Sequence, residues 1–144
     1  MVVPSGSAGT HAGIIAGMVG NNAGIRSPAS ASTARSPFRR PPSSASPMKP
    51  SIYRCRSPCA RRKVVAFDDY VGPGYSLPTD AMVEAVKMLA RTEGILLDPV
   101  YSGKAMSGLI DLARKGYFPK GSNVLFLHTG GSPALYAYLS TFRA

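Results

Sequence analysis

Residues 79–116, TDAMVEAVKMLARTEGILLDPVYSGKAMSGLIDLARKG, carry two helical periods separated by a short apolar bend, and their reading decides the fold. In the first period Met82, Val83, Val86, Leu89 and Ala90 recur at i, i+3/4 and i+7, the spacing of one apolar stripe. Thr79 or Asp80 can cap this helix by accepting from its free N–H groups, and Gly94 is a stop. The segment ILLDPVYSG predicts a short apolar strand or bend leading into a polar, functional-looking loop. Residues 103–115 then predict a second amphipathic helix, with Met106, Leu109, Ile110 and Ala113 on one face and Gly116 ending it.

Outward from this pair, VVAF (64–67) is a short buried-strand candidate, and GPGYSLP (72–78) is a loop dense in glycine and proline. NVLFLHT (123–129) is continuously apolar, the pattern of a strand buried on both faces. GGSPALYAYL follows as a glycine turn into a closing helix. At the other end, residues 1–25 begin with a short apolar run, pass through a Gly/Ser turn, and enter a small-residue helix from about Thr10 to Met18. A strand, a glycine turn and a helix N-terminus in that order can bind an anion, because the first-turn N–H groups point at the ligand. An ordinary tight turn between strand and helix would look the same locally. Alternating strands and helices with uninterrupted apolar strands predict an α/β fold with a mostly parallel sheet.

Residues 26–63 differ in kind: seven prolines, nine serines, ten basic residues and no acid, with neither a helical nor a strand period. Such composition predicts a disordered basic segment. It also explains the formal net charge of +10, because residues 68–144 hold seven acidic and seven basic side chains. The chain therefore divides into 1–25, 26–63 and 64–144. A basic nucleic-acid-binding protein is the non-enzymatic alternative. That reading wants basic residues on a folded surface with aromatic stacking positions, whereas the basic part offers only Phe38 and Tyr53. Affinity for nucleic acid would be incidental. Cys55 and Cys59 lack a second Cys/His pair beside them, with His11 and His128 far off in sequence, so no metal site is expected. No run approaches a membrane span, no secretory signal is visible, and a cytoplasmic setting is the default expectation.

Three pieces together carry a resemblance: SGSAGTHAG (5–13), residues 68–116, and VLFLHTGGSPALYAY (124–138). They resemble D-cysteine desulfhydrase and the wider group with 1-aminocyclopropane-1-carboxylate deaminase and L-cysteate sulfo-lyase. The resemblance covers most of the chain outside the basic stretch. It implies part of a tryptophan-synthase-β-like (fold type II) pyridoxal-phosphate domain, a small amino-acid substrate and a homodimer. By the same resemblance Ser7, Ala8, Gly9 and Thr10 form the cup for the cofactor phosphate, and Thr129 meets the pyridine nitrogen. Tyr75 and Tyr101 are the implied active-site tyrosines, Tyr101 being a candidate proton donor or substrate clamp. Ser102 stands where the deaminases carry glutamate, which implies sulfide elimination rather than ring opening.

In that chemistry a lysine takes the α-proton of the cofactor-bound amino acid, the β-sulfur leaves, and pyruvate and ammonia result. The resemblance puts this Schiff-base lysine upstream of the cup. Lys104 and Lys63 are poor substitutes, since Lys104 matches a different family lysine and Lys63 lies in the unmatched stretch. Little or no activity is therefore expected of these 144 residues alone. The match also breaks off abruptly at both ends of the basic stretch, where the family has an ordered strand–helix unit. An out-of-frame translation of residues 26–63 would explain that: shifting the codons of RSPASASTARSPFRR by two bases permits a buried-strand pattern. The coding DNA decides the matter, because stop codons in both alternative frames would end the idea.

Overall fold

A computed structural model describes residues 1–6, 9–23, 29–32 and 65–143. Three short strands, β1 (Val2–Ser5), β2 (Ala29–Ser32) and β3 (Val65–Phe67), form a parallel sheet in that order. Pro4 pairs with Ala31, and Ala31 with Phe67. On the free edge of β1, residues 125–127 join through a parallel bridge between Val2 and Phe126. The Val2 N–H donates to the Leu125 carbonyl (2.7 Å), and the Leu127 N–H donates to the Val2 carbonyl (2.9 Å). The expected parallel α/β arrangement is therefore present, in a form with few strands.

Helix α1 (Gly9–Gly20) follows β1, α2 runs Asp80–Glu93, and α3 runs Ser102–Arg114. A 3-10 helix (Ser132–Tyr138) and a last short helix α4 (Leu139–Arg143) close the chain. The ends of α2 are those its sequence predicts. Thr79 accepts from the Met82 N–H, and Gly94, at φ 67°, returns its N–H to the Ala90 carbonyl. Helix α3 packs against α2 on one side and against β1 and β2 on the other, so its first two turns, Ser102–Gly108, are buried all round. Gly103 makes that approach possible: a Cβ there would lie 2.7 Å from the Asp98 carbonyl oxygen and 2.8 Å from a Val86 methyl. Met82, Ala85, Val86, Leu97 and Met106 form the core, flanked by Leu109, Ile110, Phe126, Leu135 and Phe142. A core side chain such as Met82 contributes about 1.5–3 kcal/mol by leaving water.

Several expectations need correcting. The 123–129 segment was expected to be buried on both faces, yet Val124 and Leu125 are 38% and 59% exposed. It is an edge among the described residues, and Phe126 is the side chain that reaches the core. The strand expected at 64–67 is described as Val65–Phe67 and is likewise an edge among the described residues, with Val65 exposed and Phe67 half-buried. Ala113 faces solvent, and the burial of α3 is centred on its first turns. The closing helix is mostly 3-10, starting just after Gly131 with Pro133 in its first turn. Within the basic stretch, Ala29–Ser32 pair as β2, although no strand period marks them; tertiary pairing overrides local composition there. The rest of that stretch, with Cys55, Cys59 and Lys63, lies outside the described residues.

Candidate active site

Parallel strands in this register send three loops out of one edge of the sheet. The turn after Ser5, the loop after Phe67 and the loop after Leu127 all leave at the C-terminal ends of neighbouring strands. Open α/β sheets bind ligands at that edge, because loop tips and helix N-termini converge there.

The first loop delivers the N-terminus of α1. Gly9 and Thr10 are exposed in its opening turn, which contains no acidic side chain to compete with an anion. Ser7 and Ala8 lie outside the described residues. The third residue, His11, is buried, and its Nδ1 lies 3.4 Å from Ser5 Oγ. Burial lowers its pKa from 6.5, so the ring is neutral at physiological pH. Its Nε2 is the one buried side-chain polar atom among the described residues without a hydrogen-bond partner. The N–H donors of the first turn and the Thr10 hydroxyl are a donor set that fits a phosphate.

The second centre is Asp98. Its carboxylate is 1% exposed and accepts the N–H groups of Val100 (2.8 Å), Tyr101 (2.6 Å) and Ser102 (2.7 Å). These donors begin α3, where no earlier carbonyl can serve them, so Asp98 acts as the helix's anionic cap. The Ser102 hydroxyl completes the cluster, donating to Asp98 Oδ1 (2.6 Å) while accepting from the Asp98 N–H (2.8 Å). Ser102 is fully buried, and its hydroxyl is committed to Asp98.

Tyr101 emerges from this cap and meets Tyr75 from the second loop. Their hydroxyls share a hydrogen bond of 2.5 Å, with the rings edge to face at 5.8 Å. The bond to Tyr75, then burial and the nearby Asp98 charge, push the Tyr101 phenol up to about 12. It holds its proton at neutral pH. The Tyr75 loop is tied down twice more, by Lys104 Nζ on the Val71 and Gly74 carbonyls and by the Tyr138 hydroxyl on the Ser76 carbonyl.

The third loop, with exposed Thr129 at its tip, rests on the same Asp98 region. His128 Nε2 lies 3.0 Å from the Leu96 carbonyl oxygen, and the Gly130 N–H donates to His128 Nδ1 (2.9 Å). Together these assign the proton to Nε2. Ser132 Oγ also donates to Leu96 (2.7 Å). Gly131, at φ 89°, lies directly over Asp98, where a Cβ would come within 3.0 Å of the Asp98 Cβ. Of the expected residues, Tyr75 and Tyr101 touch. Thr129 hangs from residues 96–98, just ahead of Tyr101, and Gly9 and Thr10 open from the same sheet edge. Asp98, His11 and Lys104 were not singled out as site-forming. Asp98 could have been found, since Asp-Pro favours turn initiation and an aspartate side chain accepts backbone N–H groups a few residues on.

A parallel α/β sheet with a helix N-terminus and two further loops at its C-terminal edge is an arrangement that can hold a phosphate-bearing cofactor. Residues 1–130 match the family model described as pyridoxal-phosphate dependent enzyme, and the chain belongs to that family. It is also similar to a crystal structure described as that of an ACC deaminase homologue. There the identity is 26% and the TM-score 0.68 over 99% of this chain. The chain spans 43% of the length of that protein. The family's cofactor is pyridoxal phosphate, and the donor set at α1 suits its phosphate. Among the described residues no His/Cys/Asp/Glu group could hold a metal ion, and no helix is long and apolar enough to cross a membrane.

Proposed function

We propose that these residues belong to a carbon–sulfur lyase of the D-cysteine desulfhydrase type, which eliminates sulfide from D-cysteine to give pyruvate and ammonia. Bound pyridoxal phosphate would supply the electron sink that stabilises negative charge at the substrate α-carbon. The observation that carries the reading is the convergence of the α1 N-terminus, the Tyr75–Tyr101 pair and the Thr129 loop on one sheet edge.

In this reading the N–H groups and hydroxyls of Ser7, Ala8, Gly9 and Thr10 hold the cofactor phosphate. The Thr129 hydroxyl meets the ring nitrogen, leaving it largely unprotonated and the electron sink mild. Tyr101, kept protonated beside Tyr75, clamps the substrate or donates a proton to it. Ser102 acts indirectly, because its hydroxyl serves Asp98. Serine also leaves no carboxylate at that position, which favours sulfide elimination over opening of a cyclopropane ring. A small amino-acid substrate, a homodimer and a cytoplasmic setting belong to the same proposal. So does low turnover by the 144 residues alone, since Lys104 is occupied with backbone carbonyls.

A chimera tests the reading. Residues 64–144 replace the corresponding segment of an intact D-cysteine desulfhydrase, and sulfide release from D-cysteine is measured beside ammonia release from the cyclopropane amino acid. Retained sulfide release supports the proposal. A folded, cofactor-loaded chimera that opens the ring and releases no sulfide overturns it.

A further inference from the structure

Lys104 is a cation with 0% exposure, set on α3 three residues after Tyr101. Burial lowers its pKa, and a buried ammonium persists only where acceptors replace its water. The acceptors here are two backbone carbonyls of a single turn, Val71 at 2.6 Å and Gly74 at 2.9 Å. They bracket Gly72 and Pro73 and end one residue before Tyr75.

Tyr101 and Lys104, at i and i+3, lie on one side of the helix start. The loop therefore meets the same stretch of α3 twice, through its backbone at Lys104 and through the Tyr75 hydroxyl at Tyr101. The next residue, Ser76, is held in the left-handed region at φ 62°, and its carbonyl is fixed by Tyr138. Non-glycine residues keep that conformation only where the surroundings over-determine it. An apolar side chain of equal length could fill the space around Lys104. It could not supply two directed N–H donors.

We propose that Lys104 is a positioning residue: by gripping the Val71 and Gly74 carbonyls it sets the Tyr75 phenol against Tyr101 and so orients the pair that faces the substrate. The link to catalysis rests on the function proposed above; the grip does not.

The test needs neither cofactor nor turnover. The chain is labelled at the tyrosine rings, Tyr75 and Tyr101 are assigned by Tyr→Phe substitution, and ring-to-ring NOEs are recorded at neutral pH. The wild-type chain is expected to show NOEs between the two rings, whose centroids lie 5.8 Å apart. Lys104→Met keeps the stem and deletes the donors, and it is expected to lose them. A folded Lys104→Met chain that keeps the Tyr75–Tyr101 NOEs overturns the proposal.

If that variant does not fold, the wild-type chain decides. Scalar couplings from the Lys104 ammonium nitrogen across hydrogen bonds to the Val71 and Gly74 carbonyl carbons are expected, and their absence overturns the grip. A failed chimera with these signals intact would instead overturn the catalytic reading of the tyrosines.

Discussion

The α2–α3 hairpin and the β1–α1 unit both present a helix N-terminus to the same sheet edge, yet they treat it in opposite ways. At α3 the opening N–H groups are consumed by the protein's own Asp98, with Ser102 and Gly103 closing round it. At α1 the first turn has no acidic residue, Gly9 and Thr10 are exposed, and the buried His11 Nε2 lacks a partner. A helix start satisfied from within becomes a rigid mount for side chains; one left unsatisfied is available to an external anion. The hairpin therefore fixes Tyr101, which Tyr75 meets from the preceding loop, and α1 leaves a helix start open to an anion.

The strongest way to break this contrast is to empty the internal cap. Asp98→Ala strands three N–H groups and the Ser102 hydroxyl in the interior, and should cost about 3 kcal/mol or more. Urea unfolding measures it, and a loss below about 1 kcal/mol would mean that Asp98 is not the mount. A smaller effect comes from the ordinary cap of α2. Thr79→Ala gives up a single hydrogen bond to the Met82 N–H, at a cost of about 1 kcal/mol by the same assay.

The finest probe is pH, read on α1. The folded-state pKa of His11 is lowered below 6.5, so the unfolded chain binds the proton more tightly. Its contribution to stability is fully present above 6.5 and is lost as pH falls from there through the lowered value. His11→Gln should flatten that part of the stability–pH curve. An unchanged curve would place the ring in water. Inorganic phosphate added to the wild-type chain should protect α1 amides from hydrogen exchange more than those of α3, since α3 has its anion already.

The hairpin was largely readable in the sequence because its signals are local. The i, i+3/4 apolar stripe, Thr79 before the first helix and Gly94 after it act within a few residues. The Asp98 bonds to Val100, Tyr101 and Ser102 are just as local, yet Asp-Pro inside an apolar run signals a bend as readily as a cap. Resemblance, more than pattern, named Tyr75 and Tyr101. Residues 123–129 misled for a plain reason: an unbroken apolar run tells how little polarity a strand has, and nothing about which neighbours cover it.

By itself, the sequence determined where α2 starts and stops, that the strands would run parallel, and that the basic excess is confined to one stretch. Those follow from period, capping chemistry and composition, all short-range. Tertiary structure alone decided that Lys104 should donate to carbonyls 33 and 30 residues away. It likewise decided that Gly131 should settle over Asp98 and that one imidazole nitrogen should be buried without a partner. Such contacts depend on which surfaces are brought together once elements pack, and no local spacing encodes that.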